Sequence, residues 1–133
     1  MRCPSCALAN LKTVNVEKLG AQVDYCPNCN GMWFSGEQLR AAVGEAIDEL
    51  ALLEARRSYD IQCAECGREL QAWNFPYMEA EVGICTKCRG LWVEGRQAKQ
   101  FLRAVKELKE YGVPDKYRRK DGFFEKIWKK IFS

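Results

Sequence analysis

The chain has 133 residues, 47% of them hydrophobic and 29% charged, with a formal charge of +3 and no histidine. That is enough for one ordinary domain or two very small ones, and it excludes any histidine-dependent catalytic set. No apolar run approaches the roughly 20 residues a membrane-spanning helix needs.

The first residues, MRCPSC, carry a Cys3/Cys6 pair, with no apolar core or cleavage pattern. No signal peptide is expected, and a cytoplasmic location follows as an expectation, a setting in which thiols stay reduced. Then LKTVNVEKLGAQVDY reads as a β-hairpin, with its turn at Leu19-Gly20 and with Val23 and Tyr25 alternating after it. The second pair, Cys26/Cys29, leads into Ser35-Gly-Glu-Gln38, which fits a helix capping box. Leu39, Val43, Ile47, Leu50 and Leu53 then share one helical face, predicting a helix that runs on to about Arg57 and joins two halves. Glu37 in the first turn reads as a partner of the helix dipole, ahead of a metal or partner contact.

A third pair, Cys63/Cys66, opens the second half. Its spacer, LQAWNFPYMEAEVGI, predicts another hairpin whose first strand Pro76 ends early or confines to an edge. Trp73, Phe75 and Tyr77 share one face if this run is extended, either packing between the halves or forming a recognition patch. After Cys85/Cys88 the stripe Phe101, Leu102, Val105 and Leu108 predicts a helix stopped by Gly112 and Pro114; Glu94 stands where Ser35 caps the first. A basic linker follows, with Lys116, Arg118, Arg119 and Lys120. Last comes an amphipathic segment with Phe123, Phe124, Ile127, Trp128, Ile131 and Phe132 on its apolar side.

The two halves are one pattern written twice. CPNCNGMWFSGEQL at 26–39 and CTKCRGLWVEGRQA at 85–98 lie 59 positions apart and share Gly31/Gly90, Trp33/Trp92, Gly36/Gly95 and Gln38/Gln97. Within each half the two Cys-x-x-Cys pairs are separated by 19 and 18 residues. Such pairs at that separation are a strong signal for a four-thiolate metal site, since a hairpin brings two tight turns face to face around a tetrahedral ion. The expected sites are Cys3, Cys6, Cys26 and Cys29, and Cys63, Cys66, Cys85 and Cys88, each holding one zinc ion, with iron as the alternative. Four thiolates leave no open position for water or substrate, so no enzyme and no small-molecule substrate are expected. Two zinc ions with eight thiolates take the formal charge from +3 to −1. Residues 112–133 alone carry a net +4.

Trp33 and Trp92 read as covers over their own cysteine turns and the start of the following helix. The sharper alternative makes them stacking or partner anchors. Gly36 and Gly95 read as relief of crowding, or as a turn, where the helix begins.

The run CPSC…VDYCPNCNGMWFSGEQL resembles the bacterial and archaeal zinc-ribbon family named after the N-terminal ribbon of transcription factor IIB. The residues that carry the resemblance are Cys3, Pro4, Cys6, Cys26, Pro27, Cys29, Gly31, Trp33, Gly36 and Glu37. The second half keeps its four cysteines, Gly90, Trp92 and Gly95, but lacks both prolines and has Arg96 in place of Glu37. The resemblance implies zinc coordination by the cysteines and implies no reaction. The expected fold is therefore a small metal-stabilised α+β protein. Zinc ribbon 1 with a connecting helix spans 1–58, zinc ribbon 2 with its helix spans 59–112, and a basic linker with an amphipathic C-terminal helix spans 113–133.

The first functional expectation is an adaptor that binds a protein partner or itself, through Trp73, Phe75 and Tyr77 or through the apolar C-terminal residues. Two alternatives stand beside it. One is a nucleic-acid-associated ribbon in transcription or RNA handling, using Lys116, Arg118, Arg119 and Lys120. The other is a peripheral adaptor whose C-terminal helix lies on a membrane surface.

Overall fold

The first spacer folds as expected. Lys12–Val16 (β1) and Ala21–Tyr25 (β2) pair antiparallel, with Val14 opposite Val23. Gly20 closes the turn at φ 64°, donating its N–H to the Val16 carbonyl. The fold is that of a computed structural model, which describes residues 1–49 and 57–117.

After Cys29 the chain forms a third strand, Met32–Phe34 (β3), then the helix Gly36–Val43 (α1). Ser35 Oγ accepts the Gln38 N–H at 3.1 Å, and Gln38 Oε1 accepts the Ser35 N–H at 2.9 Å, so the expected capping box is formed. The α-helix does not run to Arg57. Gly44 ends it at φ 77°, its N–H returning to the Arg40 carbonyl, and a 3₁₀ segment occupies Gly44–Glu49. Arg57 begins a strand instead. Of the expected stripe, Leu39 and Val43 are buried. The side chain of Ile47, and Leu50 and Leu53, lie outside the description.

The second half repeats the plan with strands Arg57–Gln62 (β4), Glu69–Asn74 (β5), Glu81–Ile84 (β6) and Leu91–Val93 (β7), then a 3₁₀ turn at Gly95–Gln97 and the helix Ala98–Tyr111 (α2). Strand β5 stops before Pro76, as a residue lacking an N–H requires, but it is interior, flanked by β4 and β6. Strand β4 is bulged between Ser58 and Gln62, with Asp60 at φ 63°. Gly112, at φ 79°, caps α2 by donating to the Leu108 carbonyl.

The halves are joined by the short strands that follow the second cysteine turns. β3 pairs antiparallel with β7, setting Met32 opposite Val93, Trp33 opposite Trp92 and Phe34 opposite Leu91. Because the repeat makes Met32 equivalent to Leu91 and Phe34 to Val93, this register is that of an approximate twofold between the two tryptophans. One sheet of seven strands results, in the order β1-β2-β3-β7-β6-β5-β4.

All six residues of β3 and β7 are buried, and their alternation divides the interior in two. Met32, Phe34, Leu91 and Val93 face α1 and α2 in a core shared by both halves. There Phe101 meets Phe34 at a tilt, 5.1 Å between ring centroids, and Phe75 edge-to-face at 4.9 Å. Trp33 and Trp92 turn to the opposite face, among the cysteines and Leu70.

Among the described residues no helix is long and apolar enough to cross a membrane. The expected amphipathic C-terminal helix, with Phe123, Phe124, Ile127, Trp128, Ile131 and Phe132, lies outside the described residues, as do Arg118, Arg119 and Lys120.

Candidate metal centre

Each of the four Cys-x-x-Cys pairs closes the same tight turn. The residue after the second cysteine donates its N–H to the carbonyl of the first: Ala7 to Cys3, Asn30 to Cys26, Gly67 to Cys63 and Arg89 to Cys85, at 2.8–3.2 Å. Those four residues all have positive φ, between 55° and 76°. Glycine and asparagine adopt that conformation readily; Ala7 and Arg89 adopt it at a cost the closed turn must offset. Within each pair the second cysteine's N–H also points at the first sulfur, as in Cys29 N to Cys26 Sγ at 3.4 Å and Cys88 N to Cys85 Sγ at 3.3 Å. Donors aimed at sulfur stabilise thiolate over thiol.

The hairpins then bring the turns together in two quartets, Cys3/Cys6/Cys26/Cys29 and Cys63/Cys66/Cys85/Cys88, with the four sulfurs of each within 4.8 Å of one another. The eight sequence-predicted ligands are thus assembled, paired within halves. Cys3 to Cys29, Cys6 to Cys26 and Cys66 to Cys85 are each 3.6 Å between sulfurs. A disulfide would need about 2.05 Å, whereas four sulfurs at about 2.3 Å from a tetrahedral ion stand about 3.8 Å apart. The donor set therefore fits zinc.

Electrostatics supports the same fit. Backbone donors lower Cys6 to about 6, through the Leu8 N–H first, and Cys66 to about 7, through the Arg68 N–H first. Burial raises Cys3 and Cys63 and pushes Cys29 up to about 12, and it raises Cys88 as well. Each quartet by itself thus favours a mixture of thiolates and thiols, because burial disfavours charge and neighbouring thiolates repel one another. A divalent cation is what allows all four to ionise together.

The tryptophans do not simply cover their own turns, as the sequence suggests. A Cβ placed on Gly31 would lie 2.3 Å from the Trp92 ring, and one on Gly90 would lie 2.4 Å from the Trp33 ring. Each indole therefore rests on the glycine of the other half. The second glycines repeat the crossing: a Cβ on Gly95 would meet the Cys29 carbonyl at 2.2 Å, and one on Gly36 the Cys88 carbonyl at 3.0 Å. Trp33 Nε1 donates to Glu65 Oε1 at 3.3 Å, another contact between halves, while buried Trp92 Nε1 has no acceptor among the described residues. The repeat of glycine, tryptophan and glycine held the signal for this interface. A repeat, however, does not say whether its residues meet their own copy or the other.

Of the aromatic residues of the second hairpin, Trp73 and Phe75 pack together in the shared core while Tyr77 departs from them. Half-buried Trp73 sits in β5, edge-on to Phe75 at 5.6 Å and to Tyr117 at 6.1 Å. Phe75 is wholly buried beneath Phe101. Tyr77, at φ 65°, is partly exposed and donates its hydroxyl to the Gly112 carbonyl at 2.7 Å. Lys116 is exposed, its ammonium 5.1 Å from the Tyr117 ring centre. Glu37 lies exposed in the first turn of α1.

Residues 2–43, the first cysteine quartet with its hairpin and helix, match the family of transcription factor IIB-type zinc ribbons, described as a transcription factor zinc-finger. With the second quartet, the chain carries two four-cysteine clusters in the manner of tandem zinc ribbons. No curated protein and no solved structure matches the chain.

Proposed function

We propose that this is a non-enzymatic zinc protein whose two metal sites are structural and whose task is to present a folded surface to a protein partner. The observation that carries the reading is the closed donor set. Each site brings four sulfurs within 4.8 Å of one another, and the sequence offers no histidine to build a mixed, open site. Catalytic zinc keeps a position for water or substrate; four thiolates fill the shell.

A protein partner is favoured by charge and by an available edge. Over the whole chain Lys and Arg number 21 against 18 Asp and Glu, and eight thiolates with two zinc ions turn that +3 into −1, the positive excess being confined to residues 112–133. Phosphate contacts dominate nucleic-acid affinity, and this balance does not favour them. Strand β1 lies at one end of the sheet, largely exposed, with no bulge or proline, and among the described residues it pairs with β2 alone. Such an edge can accept an added strand. The opposite edge, β4, is bulged and so blunted.

A second reading, a nucleic-acid-associated ribbon, draws on the family description and on the second half's turns. Exposed Arg68, Lys87 and Arg89 stand there where the first half has Leu8, Asn28 and Asn30. Fluorescence anisotropy with mixed-sequence DNA and RNA across a salt series separates the two. The adaptor reading expects no binding at low salt; binding that weakens steeply with added salt would replace it with the second reading.

A further inference from the structure

We propose that the two metal sites are coupled, loading of either four-cysteine site raising the affinity of the other, so that the chain takes up zinc as a pair. This rests on the zinc reading above and goes beyond it.

The contacts that carry it all cross between the halves at the second cysteine turns. The Gly31 carbonyl accepts the Cys26 N–H at 3.0 Å, which makes Gly31 part of the first site's frame. The same glycine is the seat of the Trp92 ring, with no room for a Cβ. By the twofold, the Gly90 carbonyl accepts the Cys85 N–H at 3.0 Å, and Gly90 is the seat of Trp33. One turn further on, the Cys29 carbonyl abuts Gly95 and the Cys88 carbonyl abuts Gly36. A ligand residue of each site is therefore packed directly against the backbone that begins the other half's helix.

Trp33 follows Gly31 by two residues and Trp92 follows Gly90 by two, so a turn that loosens carries its own indole with it. That indole is the packing partner of the opposite turn. Ordering the first site thus builds the surface on which β7 and the second site's last turn must settle, and the second ion then finds less to order. Close-packed contacts of this kind resist small graded displacement, so the halves open or close together. Coupling between sites is commonly about 5- to 150-fold and is reciprocal by thermodynamic necessity.

The test is a titration of the metal-free full chain with Zn(II) alone, read by native mass spectrometry. Independent sites of equal affinity place about half of the molecules in the one-zinc form at half saturation, and unequal ones place more. Tenfold coupling brings that form to about a quarter. A one-zinc form staying below about a third is the expected result. A one-zinc form reaching half or more overturns uptake as a pair while leaving the zinc reading intact, and failure to take up zinc at all overturns both. Gly95→Ala keeps all eight ligands and disturbs only the crossing contact. Its one-zinc population should rise toward half, and a two-zinc protein with an unchanged distribution would overturn the assignment to this contact. The unsubstituted chain decides the question whether or not that variant folds.

Discussion

In the first half Ser35 and Gln38 close a reciprocal cap on α1. At the same place in the second half, Glu94 makes no side-chain cap, the helix begins with a 3₁₀ turn, and Gln97 Oε1 is buried without a partner among the described residues. The Glu94 carboxylate instead accepts the Ser5 hydroxyl across the interface at 3.2 Å. Beside Trp33 the first half places Asp24, which accepts the Thr13 hydroxyl at 2.7 Å. Beside Trp92 the second half places Gly83, covered by Tyr59 and Leu70. In sheet register Val14 of the first hairpin corresponds to Trp73 of the second, and two residues further on Val16 corresponds in sequence to Phe75, just past the end of β5. The two copies thus diverged at their helix starts, their hairpins and their side-chain hydrogen bonds, those that cross the interface included. They stayed alike at the cysteines, the glycines and the tryptophans, the residues that gather in the two quartets or pack backbone against ring across the joint. What is repeated is the joint between the halves.

Metal removal should break both halves together and is the largest effect expected. Structural zinc is worth about 10–16 kcal/mol per site at pH 7, comparable with or above the whole stability of an ordinary domain, about 5–15 kcal/mol. A strong chelator at neutral pH should abolish the near-ultraviolet circular dichroism of the buried tryptophans and the cooperative thermal transition. Acid should act in the same direction. The metal requires thiolates, so protons compete at every sulfur whose pKa lies above the pH, and affinity falls as pH falls. With Cys29 near 12, Cys66 near 7 and Cys6 near 6 in the metal-free turns, release should steepen below about pH 6, where the last thiolates also take protons. A colorimetric zinc indicator followed against pH measures this.

The unequal hairpins give the next effect. Phe75→Ala removes a wholly buried ring from the shared core and should cost about 3–5 kcal/mol. Val16→Ala, at the matching half-buried position, should cost about 1 kcal/mol. Denaturant titration of both variants checks the contrast; equal losses would mean the second hairpin does not anchor the core more strongly than the first.

Substitutions at the joint should instead be matched between halves. Gly31→Ala and Gly90→Ala each push a methyl into the opposite indole and should each cost about 1–3 kcal/mol. A loss at one glycine alone would break the twofold correspondence. The smallest contrast lies at the helix starts. Ser35→Ala should cost about 1 kcal/mol by removing a cap, whereas Glu94→Ala should stay within about 0.5 kcal/mol.

The two cysteine quartets, the Leu19-Gly20 turn, the capping box and the Gly112 stop were legible because each is a local pattern of residue type and spacing. Strands β3 and β7 were not. Each is three residues long, and although each also pairs with the strand before it, the pairing that joins the halves sets Trp33 opposite Trp92, 59 positions away, where no neighbouring residue announces it. The helix expected to reach Arg57 followed an apolar stripe that continues past Gly44, and the positive φ of that glycine ends the α-helix despite the stripe. Trp73, Phe75 and Tyr77 share a face only in an extended strand, and β5 ends at Asn74, ahead of Pro76. The tryptophan contacts were hidden for a different reason. An internal repeat fixes which residues matter without saying which copy they touch.

The central claim, two closed four-thiolate zinc sites, is tested most directly by zinc K-edge X-ray absorption of the two-zinc protein. The account predicts a first shell of four sulfurs per zinc at about 2.3 Å with no lighter neighbour. A shell of three sulfurs or fewer completed by oxygen or nitrogen would contradict it, and would reopen the case for chemistry at the metal.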